Sequence, residues 1–360
     1  MKNKEDSKKH YIKTIQFCPK QNLESNETIE YWNSLANHKN LARDLANGRS
    51  DKVTPQEFIK KAKRLKAKHP EIKLTIFEDE ELLEQGMNLN YAVGQGSANR
   101  PAFVNMTYKG NPKSGYYHAI IGKGVTFDTG GYNLKPTNFM EEMFMDKGGA
   151  SVTFAAFKFI VENKIDVNVT CSIPLAENFV SSNAYRPSDI IQSLSGLNVE
   201  VTNTDAEGRL IMCDAMTWTQ RRFEKLSSMV ELSTLTGACL VALGDRHAGL
   251  FSNDDTLANI LLDSAKSVGE DMWRLPIYPH IKEGLKGKHS DIVNSSKSRY
   301  GGAIEAAAYL SYFVEEGVKW AHIDIAGPAH TTTPFGVYEN GCTGYGVGLL
   351  VDFLKKTRKI

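Results

Sequence analysis

From Lys73 onward the chain keeps changing its pattern: short apolar, β-branched runs alternate with longer segments whose apolar residues recur every three or four positions. KLTIFED (73–79), YHAIIGKGVTFD (117–128), VNVTCSIPLAEN (167–178), VEVTNT (199–204), MVELSTLTG (229–237) and AHIDIAG (321–327) read as strands. ELLEQGM (81–87), GGASVTFAAFKFIVEN (148–163), the stretch after Glu207, and the segments 254–269, 303–316 and 345–356 read as helices. Such alternation predicts an α/β fold with a mixed, largely parallel central sheet and helices on both faces. In that class ligands bind at the carboxyl ends of the strands, so the active site is expected there.

Ahead of this pattern, Ile29, Trp32, Leu35, Leu41 and Leu45 predict a helix from about Glu24 to Ala46. NGRSDKVTP breaks it. Thr54-Pro55-Gln56-Glu57 then predicts a second helix, capped by Thr54 and running to about Lys68. Residues 1–35 are polar and weakly patterned, a tail or small appendage.

Composition removes several function classes. The chain carries 43 basic and 42 acidic residues, which gives no electrostatic reason for a nucleic-acid or membrane partner. The N-terminus lacks the apolar region of a secretory signal, and no stretch approaches a membrane span. Cys18, Cys171, Cys213, Cys239 and Cys342 are scattered without a CxxC pair, so buried free thiols in a reducing, cytoplasmic setting are expected. None of the nine histidines has metal-ligand spacing, and structural roles are expected for them.

The polar residues gather at strand ends. Lys123 and Asp128 flank one strand terminus, and Lys135 and Asp146 lie in the next connection. NTDAEGRL (203–210) adds Asp205, Glu207 and Arg209, while Thr234, Thr236 and Asp324 end later strands. Singly, an Asp before glycines is a turn residue, and GKG does not have the spacing of a phosphate loop. Jointly, three Asp and one Glu at one sheet edge repel unless a positive charge sits among them. Either Lys123, Lys135 and Arg209 or a pair of divalent ions meets that need. A carboxylate-rich site without His accepts manganese, magnesium or cobalt as well as zinc.

IGKGVTFDTGGYNLKPTNFMEEMFMDKGGA, NTDAEGRL, STLTGA and WAHIDIAGP, in this order, resemble the leucyl aminopeptidase family of dinuclear-metal exopeptidases, including its peptidase B branch. The resemblance implies an enzyme that hydrolyses N-terminal residues from peptides, with two divalent ions per subunit and a bridging water as nucleophile. It implies metal ligation by Lys123, Asp128, Asp146, Asp205 and Glu207, with Asp146 on the more exchangeable ion. It implies that Lys135 stabilises the oxyanion and that Arg209 holds a bicarbonate acting as general base. Met143, Asn203, Thr234, Leu235, Gly237 and Ala326 match residues lining the substrate pocket. The family assembles as a homohexamer, so a homo-oligomer is expected. Residues 41–360 then form the catalytic domain, and 1–40 a short N-terminal segment or a strongly reduced N-terminal domain. DNA-binding and idle relatives form the alternative reading. The sequence departs from the family at three places. Lys147 stands where Met is usual and is expected to point to solvent. Ala329 stands where some relatives have Met. NLARDLANGRSDKVTP (40–55) lacks the usual Asn-Pro connection.

Overall fold

The computed structural model describes residues 26–223 and 225–357. Most of the polar N-terminal stretch, with Cys18, lies outside the described residues. Among the described residues fourteen strands follow one another: β1 (Lys73–Glu78), β2 (Ala102–Lys109), β3 (Tyr117–Gly122), β4 (Gly124–Asp128), β5 (Asn168–Asn178), β6 (Ile190–Gln192), β7 (Asn198–Glu200), β8 (Leu226–Ser233), β9 (Ala248–Ser252), β10 (Met272–Arg274), β11 (Ile292–Val293), β12 (Trp320–Asp324), β13 (His330–Thr331) and β14 (Gly341–Cys342). The central sheet has the order β1-β2-β5-β3-β8-β12-β9-β10, with β4 beside β5. Its middle strands β5, β3, β8 and β12 are mutually parallel, whereas β1–β2, β2–β5 and β9–β12 are antiparallel.

The middle strands bury both faces, which explains their unbroken apolar runs. Ile120 packs on one side with the helices Asn26–Asn47, Pro55–Lys68, Gly148–Glu162, Asp255–Val268 and Val347–Thr357. Its neighbours Ala119 and Ile121 pack on the other side with Asn88–Gly94, Glu207–Arg222 and Gly302–Leu310. The expected α/β sheet with helices on both faces is the observed one.

Several local expectations change. The segment 117–128 is two strands, β3 and β4, broken at Lys123. The VEVTNT run contributes only β7, which pairs with β6 and β11 in a separate small sheet. Thr54 stands at the start of the second helix, but its hydroxyl makes no capping bond. The four described cysteines are free and buried, as expected. No helix of the described residues is long and apolar enough to cross a membrane.

Candidate active site

The carboxyl ends of β3, β4, β5, β8 and β12 converge on one charged cluster. Lys123 fills the break between β3 and β4. Its N–H donates to the Leu232 carbonyl (3.0 Å) and its own carbonyl accepts from Ala150 N (2.8 Å), so the backbone is held on both sides. The buried Nζ lies 2.8 Å from Asp146 Oδ2 and 2.9 Å from Glu207 Oε1, and donates to the Thr234 carbonyl at 2.9 Å. Gly208 makes this possible: a Cβ there would lie 2.5 Å from Lys123 Cε and 2.7 Å from its Nζ.

Asp128 ends β4. Its Oδ1 accepts from Gly130 N (2.9 Å) and Asn178 Nδ2 (2.8 Å), and its Oδ2 lies 2.8 Å from Lys135 Nζ. Lys135 also reaches Asp205 Oδ1 at 2.5 Å, and Asp205 N–H donates to Asn203 Oδ1 (2.9 Å). Asp146 follows the single 3-10 turn Met143–Met145, which Met143 opens half-buried. Its Oδ1 accepts from Thr234 Oγ1 at 2.6 Å. The next helix packs hard against β8, because a Cβ at Gly149 would meet the Leu232 carbonyl at 2.1 Å.

The spacing of Asp205 and Glu207 suggests an extended loop, but the loop ends at Ala206. Glu207 opens the helix Glu207–Arg222, where unpaired N–H groups and the helix dipole favour a carboxylate. Arg209, buried in the same turn, donates through Nη1 to the Asn294 carbonyl (2.6 Å) and to Glu305 Oε1 (3.3 Å).

The cluster thus sets four carboxylates against two lysines. Asp128, Asp146 and Glu207 each place an oxygen within 4.8 Å of the others. Burial, with Glu207 and Asp128 close by, pushes Asp146 up to about 8 despite Lys123. Burial, Asp128 and Glu207 likewise push Asp205 up to about 7 against the pull of Lys135. Burial works against the Lys123 charge, but Asp146, Glu207 and Asp128 outweigh it and hold the ammonium above its ordinary value. Asp146 Oδ2 and Asp205 Oδ1 are buried near a lysine yet receive no hydrogen bond of acceptable geometry. Crowded oxygen donors, two of them without a well-formed hydrogen bond, and more carboxylates than lysines fit divalent cations.

The remaining expected residues lie on the segments that follow β8 and β12 and in the loop before Asp205. Thr234, Leu235 and Gly237 leave β8, and Ala326 leaves β12. Asp324 ties the two segments together: Oδ1 accepts from Leu235 N and Ala326 N (both 3.1 Å), and Oδ2 from Thr236 Oγ1 (2.7 Å). Thr236 in turn caps the helix Gly237–Leu243. Ala329 is buried near Thr234, both facing Gly148. Asn203 is fixed by Asn294, which accepts from its N–H (3.2 Å) and donates to its carbonyl (2.6 Å). Histidines pair elsewhere, as His322 does with Glu231 (2.8 Å).

Lys147 corrects an expectation. It is fully buried rather than solvated, because its Nζ donates to the carbonyls of Gly48 (2.7 Å) and Phe144. Asn178, Asn294 and Glu305 support the site without having stood out in the sequence. Asn178 ends β5 as Asp128 ends β4, a usable signal. Asn294 and Glu305 meet Arg209 across 85 and 96 residues, with no local sign.

Residues 40–351 match the cytosol aminopeptidase family, catalytic domain. A "Probable cytosol aminopeptidase" of Persephonella marina is 40% identical over 346 residues, covering 95% of this chain and 69% of that protein. One of Aquifex aeolicus is 38% identical, covering 99% and 71%. A solved structure titled "Bottromycin maturation enzyme BotP in complex with Mn" aligns with a TM-score of 0.88 at 35% identity, over 92% of this chain and 72% of that one.

Proposed function

This chain belongs to the cytosol aminopeptidase family, and we propose from that premise that it releases N-terminal amino acids from peptides by metal-dependent hydrolysis, with Leu and other apolar residues favoured. The observation that carries this reading is the cluster of four carboxylates at the sheet's carboxyl edge, three of them buried, with two oxygens that lack a well-formed hydrogen bond. In this reading Asp128, Asp146, Asp205 and Glu207 would hold two divalent ions, joined by Lys123 once the incoming cations displace its proton. Manganese or zinc is the native metal, and cobalt or magnesium can substitute. When bound, such ions polarise the scissile carbonyl and lower the pKa of a water.

The protein's own groups orient and stabilise. Lys135 is held between Asp128 and Asp205 and partly exposed, so its ammonium is positioned to meet an oxyanion formed over the cluster. Burial opposes its charge, but Asp128, Glu207 and Asp205 prevail, keeping it protonated at neutral pH. Arg209 is anchored through Nη1, and we assign its remaining donors to a bicarbonate. Thr234, Leu235, Gly237, Asn203 and Ala326 wall the substrate pocket over Met143, with Asp324 as the clasp of the wall. Residues 41–360 form the catalytic unit of a cytoplasmic homohexamer.

The test is hydrolysis of a leucyl fluorogenic amide by the purified chain, first with chelator, then with manganese, cobalt or zinc. Activity that disappears and returns is the expected result. Inactivity with every metal, across several amino-acyl amides, overturns the reading.

A further inference from the structure

The amino group of the fully buried Lys147 donates to two backbone carbonyls, those of Gly48 and Phe144. Phe144 belongs to the 3-10 turn that delivers Asp146. Gly48 follows the last residue of the first described helix, Asn26–Asn47. The side chain therefore clamps the Asp146 turn to the end of a helix that is about a hundred residues distant in sequence.

The same short turn, residues 47–50, grips the site's other supports. Ser50 Oγ donates to the Thr126 carbonyl (2.8 Å), two residues before Asp128. Asn47 Oδ1 accepts from Cys342 N (2.8 Å). The Arg49 guanidinium lies 3.8 Å from the centre of the Phe144 ring. A buried cation is costly unless its donors are satisfied, and a carbonyl stripped of its donor costs comparably.

We infer that Lys147 is a positioning residue: by clamping the Asp146 turn to Gly48, it holds the Asp146 carboxylate in place and sets the affinity of the ion that Asp146 binds. The inference rests on the proposed metal site. Groups that orient a metal ligand typically change affinity by about 10- to 100-fold when removed. Met matches Lys in length without its charge or donors, so Lys147→Met tests the clamp with little change in volume.

The experiment titrates metal-free wild type and Lys147→Met with Mn2+ by calorimetry, with bound metal counted by elemental analysis. Thermal melting of the metal-free proteins runs in parallel. The expected result is one ion bound as in wild type and the other weakened by about 10- to 100-fold, with kcat recovering as Mn2+ is raised. A variant that melts lower but binds both ions as wild type does has lost only a structural contact, and that overturns the inference. Wild type that fails to bind two ions overturns the site reading and this inference together. Should Lys147→Met not fold, Lys147→Gln, which keeps an N–H donor on a shorter side chain, decides. Selective weakening of one ion supports the clamp, and unchanged affinities overturn it.

Discussion

Single residues of the site make separable predictions. Lys135→Ala should keep both metals, since the carboxylates remain, yet lose about 10²- to 10³-fold in kcat, the usual cost of removing an oxyanion donor. Elemental analysis beside steady-state kinetics checks this, and unchanged turnover would end the assigned role. Gly208→Ala makes the opposite prediction. Its new Cβ falls 2.7 Å from Lys123 Nζ, so the lysine must move and metal binding should fall along with kcat. Retention of both ions by this variant would show that Lys123 is freer than its contacts imply. Ala329 lies near Thr234, so Ala329→Met should narrow the pocket and lower kcat/KM for large N-terminal side chains more than for alanine. Equal losses across a panel of amino-acyl amides would place Ala329 outside the pocket.

At the scale of elements, β3 couples the sheet to the C-terminal helix through His118. Its Nδ1 is 2.8 Å from Ser228 Oγ on β8, and its ring meets Phe353 edge-on at 5.9 Å. Burial lowers its pKa to about 4. A histidine depressed on folding adds stability that is complete above the unfolded value of about 6.5 and is lost as pH falls toward 4, because the unfolded chain takes the proton first. The loss is on the order of 3 kcal/mol. Denaturant unfolding from pH 7 to pH 4 should show it, and His118→Gln should flatten that slope. An identical slope in the variant assigns the acid sensitivity to other groups.

Elements also show where the sequence was readable. Middle strands such as β5 and β12 stood out because burial on both faces forces apolar runs. β2 did not, because Asn105 and Thr107 interrupt its pattern. Those residues are satisfied internally, Asn105 Nδ2 donating to Thr170 Oγ1 (2.7 Å) and Ser172 Oγ (2.9 Å). Internal polar ladders look like surface in a linear sequence. The break at Lys123 was hidden for a related reason, since the apolar run continues across it. The charged site residues were legible because carboxylates and lysines recur at strand ends. Partners that reach Arg209 from distant segments, Asn294 and Glu305, were not. The burial of Lys147 was missed because its acceptors are backbone carbonyls, which any sequence supplies.

For the whole molecule, metal and fold are linked. An ion that binds the native state alone adds RT ln(1 + [L]/Kd), about 2.7 kcal/mol at a hundredfold excess over Kd. Chelation should therefore lower Tm, and excess Mn2+ should restore it. A Tm indifferent to metal would count against the carboxylate cluster as a binding site. Light scattering on the same samples tests the proposed hexamer, which a monomer-sized particle would refute.

The cluster's members come from four separated stretches of chain: residues 123–135 around β4, the turn before Gly148, residues 205–207 at the helix start, and the end of β8 that supports Asp146. No fragment that ends before the last of them can form the cage. A nascent or partly unfolded chain thus presents only scattered carboxylates, which hold divalent ions weakly. On the proposed reading, the cage for the ions exists only once these stretches have met, so metal binding reports that the parallel sheet has closed. Proteolytic power is thereby withheld from any copy that has not finished folding.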